Sequence, residues 1–353
     1  MAVVVAGCGA AGAEFVRLFA DSGYDTVVVS PSSLLVCQAM LPAYVAGRFE
    51  DDDVCIDLKP FFREAGVRFR KGRVKFVKPR CSTLFVNYRT LRGIGYEFAV
   101  IAVGGESCYY GIEGADKCLS VNTLEEARVT RKKVRSGDEV VVVGSGMTGV
   151  ETAYELAELC RVRLVEAESR VLPAMCEKVS GYVQKLLESR GVEVLTSCRV
   201  QEISHENGII RTSRGELSFD EIIWCAGIKG RNMPGLDYGR TGIRVDESLR
   251  ATSNIFAIGD CADISFNGAA ATKTALEAER QARFVAGILK KRDSSLAYRP
   301  YRPFSTDRNP FAILTFGERG VIVRGNLVLT RPAKVIYRLK KAVMKKFLEN
   351  YRI

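Results

Sequence analysis

Two glycine clusters carry the strongest chemical signal in the chain. Gly7-Cys8-Gly9-Ala10-Ala11-Gly12 and Gly144-Ser145-Gly146-Met147-Thr148-Gly149 share one spacing, and each follows a valine run and precedes an amphipathic, helix-like pattern. A strand, a glycine turn and a helix in that order make an anion site. The first glycine allows the tight turn, the second lets a pyrophosphate approach the backbone, and the third lets the helix pack on the strand with its N-terminus facing the phosphates. Two such units predict two dinucleotide sites. In the second unit Arg161-Val162-Arg163-Leu164-Val165-Glu166 ends in a carboxylate 17 residues after Gly149. Glu166 can accept from a ribose 2′-hydroxyl and repels a 2′-phosphate, which favours NADH over NADPH, with Arg170 nearby as a counterweight. In the first unit the strand Asp25–Ser30 ends in Ser30, whose hydroxyl can bond a ribose without discriminating by charge.

These units need a scaffold, and the chain is long enough for one. With 353 residues, 47% hydrophobic and 26% charged, it reads as a globular α/β protein of two or three domains. The parallel-strand candidates are Ala2–Ala6, Asp25–Ser30, Glu139–Val143 and Arg161–Glu166, together with runs ending at Gly105 and Gly227 and the segment Thr252–Ala262. No run reaches the ~20 apolar residues needed to cross a bilayer. Met1 leads straight into the first strand, so no signal peptide and a cytoplasmic location are expected. Eleven scattered cysteines without a CxxC are expected to be reduced. His205, the single histidine, is expected in an exposed hairpin, and no metal site is expected.

The formal charge of +11 is uneven. From Arg331 onward eight cations face Glu349 alone, giving +7 and leaving +4 for the other 330 residues. On a helical wheel Val335, Ile336, Leu339, Ala342, Val343 and Phe347 share one arc, opposite Lys334, Arg338, Lys341, Lys345 and Arg352. That pattern suits a helix lying in an anionic membrane interface, or one docked on the protein or a partner subunit. Nucleic acid is not expected, since no recognition motif accompanies the charge.

Together with Thr252-Ser253-Asn254-Ile255-Phe256-Ala257-Ile258-Gly259-Asp260-Cys261-Ala262, the two fingerprints make the first 290 or so residues resemble the FAD-dependent pyridine nucleotide oxidoreductases. The resemblance implies two Rossmann-like domains: an FAD domain in two pieces, 1–112 and 237–298, with an NAD domain, 113–236, inserted between them. A C-terminal hairpin and basic amphipathic helix, 299–353, follow. It further implies FAD contacts from Gly7, Gly9, Ala10, Ala11, Gly12, Ser30, Val74, Gly104, Gly259, Asp260 and Thr274, the Asp260 carboxylate bonding the ribityl chain. NADH contacts are implied for Gly144, Gly146, Thr148, Gly149, Glu166 and Gly227.

Cys37-Gln38-Ala39-Met40-Leu41-Pro42 and Met147-Thr148-Gly149-Val150-Glu151 are similar to segments of type II NADH dehydrogenases, as is the hairpin Phe311–Gly317 to Leu327–Leu329 with its basic helix. That likeness implies a monotopic enzyme on the inner face of the cell membrane, passing electrons from NADH through FAD to a quinone. Glu151 would lie beside the nicotinamide and Lys273 would stabilise a reduced flavin. Lys273-Thr274 also resembles sulfide:quinone oxidoreductases, but no cysteine follows Cys261. Two rival readings stay open: a disulfide or persulfide reductase using Cys37, as in coenzyme A disulfide reductases, and a nucleotide-binding redox sensor or docking subunit without rapid turnover. A homodimer is also left open.

Overall fold

The computed structural model describes residues 2–87, 90–291 and 300–352. The expected boundary between 298 and 299 lies outside them. The valine runs form two parallel sheets because strands of this kind, apolar along their whole length, must be covered on both faces. One sheet has the order Arg250–Thr252, Ile255–Ala257, Phe98–Ile101, Ala2–Ala6, Asp25–Ser30, Arg68–Lys71, antiparallel only at its first pair. The other runs Glu193–Leu195, Arg161–Val165, Glu139–Val143, Glu221–Trp224 and lies between the two pieces of the first in sequence. In both sheets the glycine-loop strand sits where the strand order reverses. This opens a crevice at the carboxyl ends, the usual ligand position of such sheets.

The body outside the tail is less evenly charged than its net value suggests. Residues 65–96 hold nine Lys or Arg and no Asp or Glu. Their described part forms the strand Arg68–Lys71 and an antiparallel sheet of Arg73–Lys78, Thr83–Asn87 and Leu91–Gly95. Arg73, Lys75 and Lys78 of that sheet are exposed, with Lys78 over the Phe85 ring. His205 is half-buried rather than exposed: its Nε2 is 2.8 Å from the Gly114 carbonyl and its ring meets Phe219 edge-on.

The C-terminal hairpin is a three-stranded meander, because Arg319–Arg324 pairs with both Phe311–Phe316 and Leu327–Leu329. The helix Ala333–Glu349 packs on it at Gly320, where an added Cβ would lie 2.5 Å from Ile336 Cγ2. This contact rotates the helix away from the two-faced arrangement of the wheel. Ile336, Lys340 and Leu348 are buried and Phe347 is half-buried, whereas Val335, Leu339 and Val343 remain 56%, 46% and 51% exposed. The expected apolar arc is therefore split between a docked face and a free stripe.

Beyond the helix, Tyr351 donates to the buried Glu14 carboxylate at 3.1 Å and meets Phe61 edge-on. Glu14 also accepts from Arg17 and Arg283. Among the described residues no such cation bonds Glu279. Burial, then the nearby Glu14 charge, pushes its carboxyl up to about 7, against Arg283 and Arg17. A carboxyl whose folded pKa is raised binds more protons folded than unfolded, so stability from this group falls as pH rises between its ordinary value and about 7. Glu279→Gln should therefore raise thermal stability at pH 8, by about 1 kcal/mol after allowing for solvent screening, and change it little near pH 4.5. Equal melting shifts at both pH values in calorimetry would refute this.

Candidate active site

The two glycine loops have the same steric logic. Gly7 and Gly144 take φ of +103° and +94°, and a Cβ on them would fall 2.2 Å from the Ala102 carbonyl oxygen and 2.4 Å from Ala226 Cα. At Gly12 and Gly149 a Cβ would meet the carbonyl oxygens of Gly7 and Gly144 at 2.1 and 1.9 Å. The middle glycines, Gly9 and Gly146, have nothing within 4 Å of that position and cap the helices Ala10–Phe19 and Met147–Leu156. The outer glycines are thus spent on packing, while the middle ones leave open space at a helix N-terminus. An anion held there meets free N–H groups and the positive end of the helix dipole. Ala10, Ala11 and Thr148 lie in the first turns of these helices.

The first crevice ends at Gly259 and Asp260. Gly259 has φ +73°, approaches Ala11, and donates its N–H to Gln281 Oε1 at 2.6 Å. The Asp260 carboxylate makes no hydrogen bond among the described residues, and burial raises its pKa against the pull of Lys273. Lys273 Nζ instead donates to the carbonyls of Asp260 and Ala262, at 2.5 and 3.4 Å, and burial lowers its pKa. Gly259, Asp260, Lys273, Thr274 and Gln281 line one cleft, and Thr274 immediately precedes the helix Ala275–Lys291. Gly104, with φ +73° and open space around it, lies between the strands ending at Ile101 and beginning at Gly105. Ser30 closes its strand, buried, and Val74 sits in the antiparallel sheet beside it. An unpartnered carboxylate beside the helix that opens at Gly9 fits a hydroxylated dinucleotide such as FAD.

In the second crevice Glu166 is held by three donors. Oε2 accepts from the Ser145 amide and hydroxyl at 2.8 and 2.5 Å, and Oε1 from the Glu168 amide at 2.9 Å. Arg170 is turned away, its guanidinium donating to the Met175 and Pro173 carbonyls. The counterweight that its position in sequence raised is thus engaged elsewhere. Gly227, with φ +129°, lies against the Tyr110 hydroxyl.

Glu151 is paired in a way the fingerprint did not indicate. It is 5% exposed, and its Oε1 accepts from the Thr315 amide at 2.6 Å, the Thr315 hydroxyl at 3.0 Å, and Nζ of Lys340, itself 4% exposed, at 2.5 Å. One turn further, Glu155 accepts from the Gly317 amide and pairs with Arg48. Burial raises the Glu155 pKa, while the Gly317 amide and Arg48 oppose the shift. Arg48, Glu155, Thr315, Gly317 and Lys340 line an open pocket whose walls also include Met40, Phe49, Tyr337 and Met344. Lys340, Thr315, Arg48 and Glu155 escaped sequence reasoning because their partners are distant in the chain. Only Lys340, placed off the basic arc of the wheel, left a trace.

Cys37 is buried within electrostatic reach of Lys340 and of Glu279. Burial pushes its thiol up to about 12, so it is protonated at neutral pH and no ready nucleophile. All eleven cysteines are free.

Two parallel-sheet units, each with an open dinucleotide turn, define a two-dinucleotide redox fold. Residues 1–282 match the model of the pyridine nucleotide-disulphide oxidoreductases, and the chain belongs to that family. It is 30% identical over 212 residues to the NADH dehydrogenase-like protein YutJ of Bacillus subtilis (strain 168), 56% of this chain and 58% of that protein. It is 26% identical over 300 residues to the type II NADH:quinone oxidoreductase of Staphylococcus haemolyticus (strain JCSC1435), 73% of each chain. The structure of NDH2 from Plasmodium falciparum in complex with NADH superposes with a TM-score of 0.85 at 16% identity, covering 99% of this chain and 96% of that one, a likeness of fold. The chain thus spans little more than half the length of YutJ.

The glycine geometry separates packing from binding. Gly12→Ala should lower the melting temperature of the protein itself, since a backbone carbonyl blocks the new methyl, a loss of about 2 kcal/mol or more. Gly9→Ala should leave stability of the ligand-free protein unchanged and reduce flavin retention. Calorimetry and flavin absorbance check both, and the reverse pattern would refute the assignment.

Proposed function

We propose that this chain is an FAD-dependent NADH dehydrogenase that passes electrons to a quinone at a membrane surface without pumping ions. The observation that carries the reading is the pair of open glycine turns, one of them opening the helix whose Ala11 meets Gly259, next to the unpartnered Asp260 carboxylate. Residues 1–112 and 237–298 would hold FAD, and residues 113–236 would hold NADH. Bound FAD supplies the chemistry, taking a hydride from the nicotinamide and releasing electrons to an acceptor.

The protein's own groups supply position and charge. Asp260 accepts from a ligand hydroxyl, and the free amides behind Gly9 and Gly146 bind the pyrophosphates. Lys273, held by two carbonyls, and the N-terminus of the Ala275–Lys291 helix place positive charge where a reduced ring would become anionic. Glu166 disfavours a 2′-phosphate, and Arg170 is not available to welcome one. Glu151 acts as the anchor of Lys340, which lines the open pocket beside Met344. Met40, Phe49, Tyr337 and Met344 suit the ring of a quinone, and the Lys340 ammonium is placed to donate to its oxygen. The free stripe Val335, Leu339 and Val343, flanked by Lys334, Arg338, Lys341 and Lys345, fits an anionic lipid interface beside that pocket. No helix among the described residues is long and apolar enough to cross a membrane. The raised Cys37 pKa weighs against the thiol-based reading.

One comparison tests the acceptor. Steady-state NADH oxidation by the FAD-replete protein should be fastest with a short-chain quinone, ahead of a disulfide or oxygen, and Cys37→Ser should keep most of it. The triple variant Val335→Ser, Leu339→Ser, Val343→Ser should keep short-chain turnover but slow turnover with long-chain quinone in anionic liposomes about tenfold. Turnover with a disulfide alone, lost in Cys37→Ser, would overturn the quinone reading. Slow oxidation with every acceptor would favour a sensor.

A further inference from the structure

Tyr110 stands out among the exposed residues of the chain. It is 67% exposed, yet its backbone takes φ +53°, a left-handed conformation that costs a non-glycine residue about 1–2 kcal/mol. Gly111 follows at φ +73°, so two consecutive residues of the connection between the sheets are turned in this way. The turn aims the phenol at one place. Its hydroxyl donates to the Ala226 carbonyl at 2.9 Å, and a Cβ at Gly227 would lie 2.6 Å from that oxygen. The absence of a side chain at Gly227 is therefore what seats the phenol.

Ala226 is also the residue against which Gly144 turns, its Cα 2.4 Å from the Cβ that Gly144 lacks. Tyr110 is thus anchored just beyond the carboxyl end of Glu221–Trp224, at the residue that packs against the glycine loop of the neighbouring strand Glu139–Val143. Burial of its hydroxyl raises the phenol's pKa, with Cys108 and then the Glu166 carboxylate adding to it, so the ring also lies within reach of the expected ribose-binding group. Cys108, two residues earlier, is tied to the same strand end by its amide to the Gly227 carbonyl and its own carbonyl to the Trp224 indole, at 3.0 and 2.9 Å. The segment is fixed at both ends, and a fixed, exposed aromatic ring with a strained backbone at a ligand crevice has no packing role to explain it.

We propose that Tyr110 forms a wall of the second dinucleotide site, covering the bound nicotinamide dinucleotide from the side of the connecting segment and contributing to its affinity rather than to the redox step. This rests on the assignment of Gly144–Gly149 to NADH. The test uses the full-length, FAD-replete protein. The dissociation constant of NAD⁺, which cannot reduce the flavin, is measured by calorimetry alongside KM for NADH and kcat with a short-chain quinone. Tyr110→Ala should raise both the NAD⁺ dissociation constant and KM about tenfold, the range expected for loss of an aromatic contact to a nucleotide, with kcat within about twofold and flavin content unchanged. Tyr110→Phe keeps the ring and loses only its tie to Ala226, so most of the affinity should return. Unchanged binding in Tyr110→Ala would overturn the proposal, and so would tighter binding, which would mean that the ring occupies the ligand's place. If the wild-type protein binds no NAD⁺ at all, the assignment of the second site fails with it, an outcome distinct from either variant result.

Discussion

Both dinucleotide turns depend on a close approach between a helix and the turn that starts it. At Gly12 and Gly149 the helix backbone comes so near the preceding turn that a methyl group would overlap a carbonyl oxygen, at 2.1 and 1.9 Å. That approach puts the helix N-terminus at the sheet edge, and the crevice, the open middle glycine and the orientation of the first-turn amides all follow from it. A helix held further out by a side chain would still cover the sheet, but its dipole and free N–H groups would not converge on one anion. The same construction at two places in one chain is what makes transfer between two bound dinucleotides geometrically reasonable.

A second constraint ties the C-terminal unit to this frame. The helix Met147–Leu156 opens at the second glycine loop, and its Glu151 and Glu155 reach out to the C-terminal meander and helix through Thr315, Gly317 and Lys340. Two charges as deeply buried as Glu151 and Lys340 are retained only as a pair, since removing one strands the other at a cost of about 3–5 kcal/mol. The residue expected beside the nicotinamide is thus also the attachment point of the tail. Dinucleotide loop, proposed acceptor pocket and proposed lipid-facing stripe are carried on one connected piece of structure. At the other end Tyr351 closes onto Glu14 of the first glycine-loop helix, so the tail bridges both units.

Much of this was legible in the sequence where the signal was local. The valine strands, both glycine turns and the Gly259-Asp260 turn are contiguous patterns whose residue types have few other uses. What escaped depends on contacts between distant segments. Lys340 reads as one more tail cation until the Gly320 contact rotates the helix and buries it against Glu151. A hairpin drawn from Phe311–Gly317 to Leu327–Leu329 leaves out the strand Arg319–Arg324, which lies between the turn glycines Gly317 and Gly325. Tyr110 carries no motif, and its meaning comes from a backbone angle and a carbonyl 116 residues away. The cationic stretch 65–96 was hidden by averaging, since its excess is offset by acidic residues elsewhere.

The central claim is that two dinucleotides meet across these two crevices, and an anaerobic titration of the purified, FAD-replete protein with NADH addresses it without any acceptor. The account predicts that the oxidised flavin absorbance bleaches with one NADH per flavin and returns when a short-chain quinone is added. A flavin that stays oxidised in the presence of excess NADH, in protein that retains its fold, would contradict it.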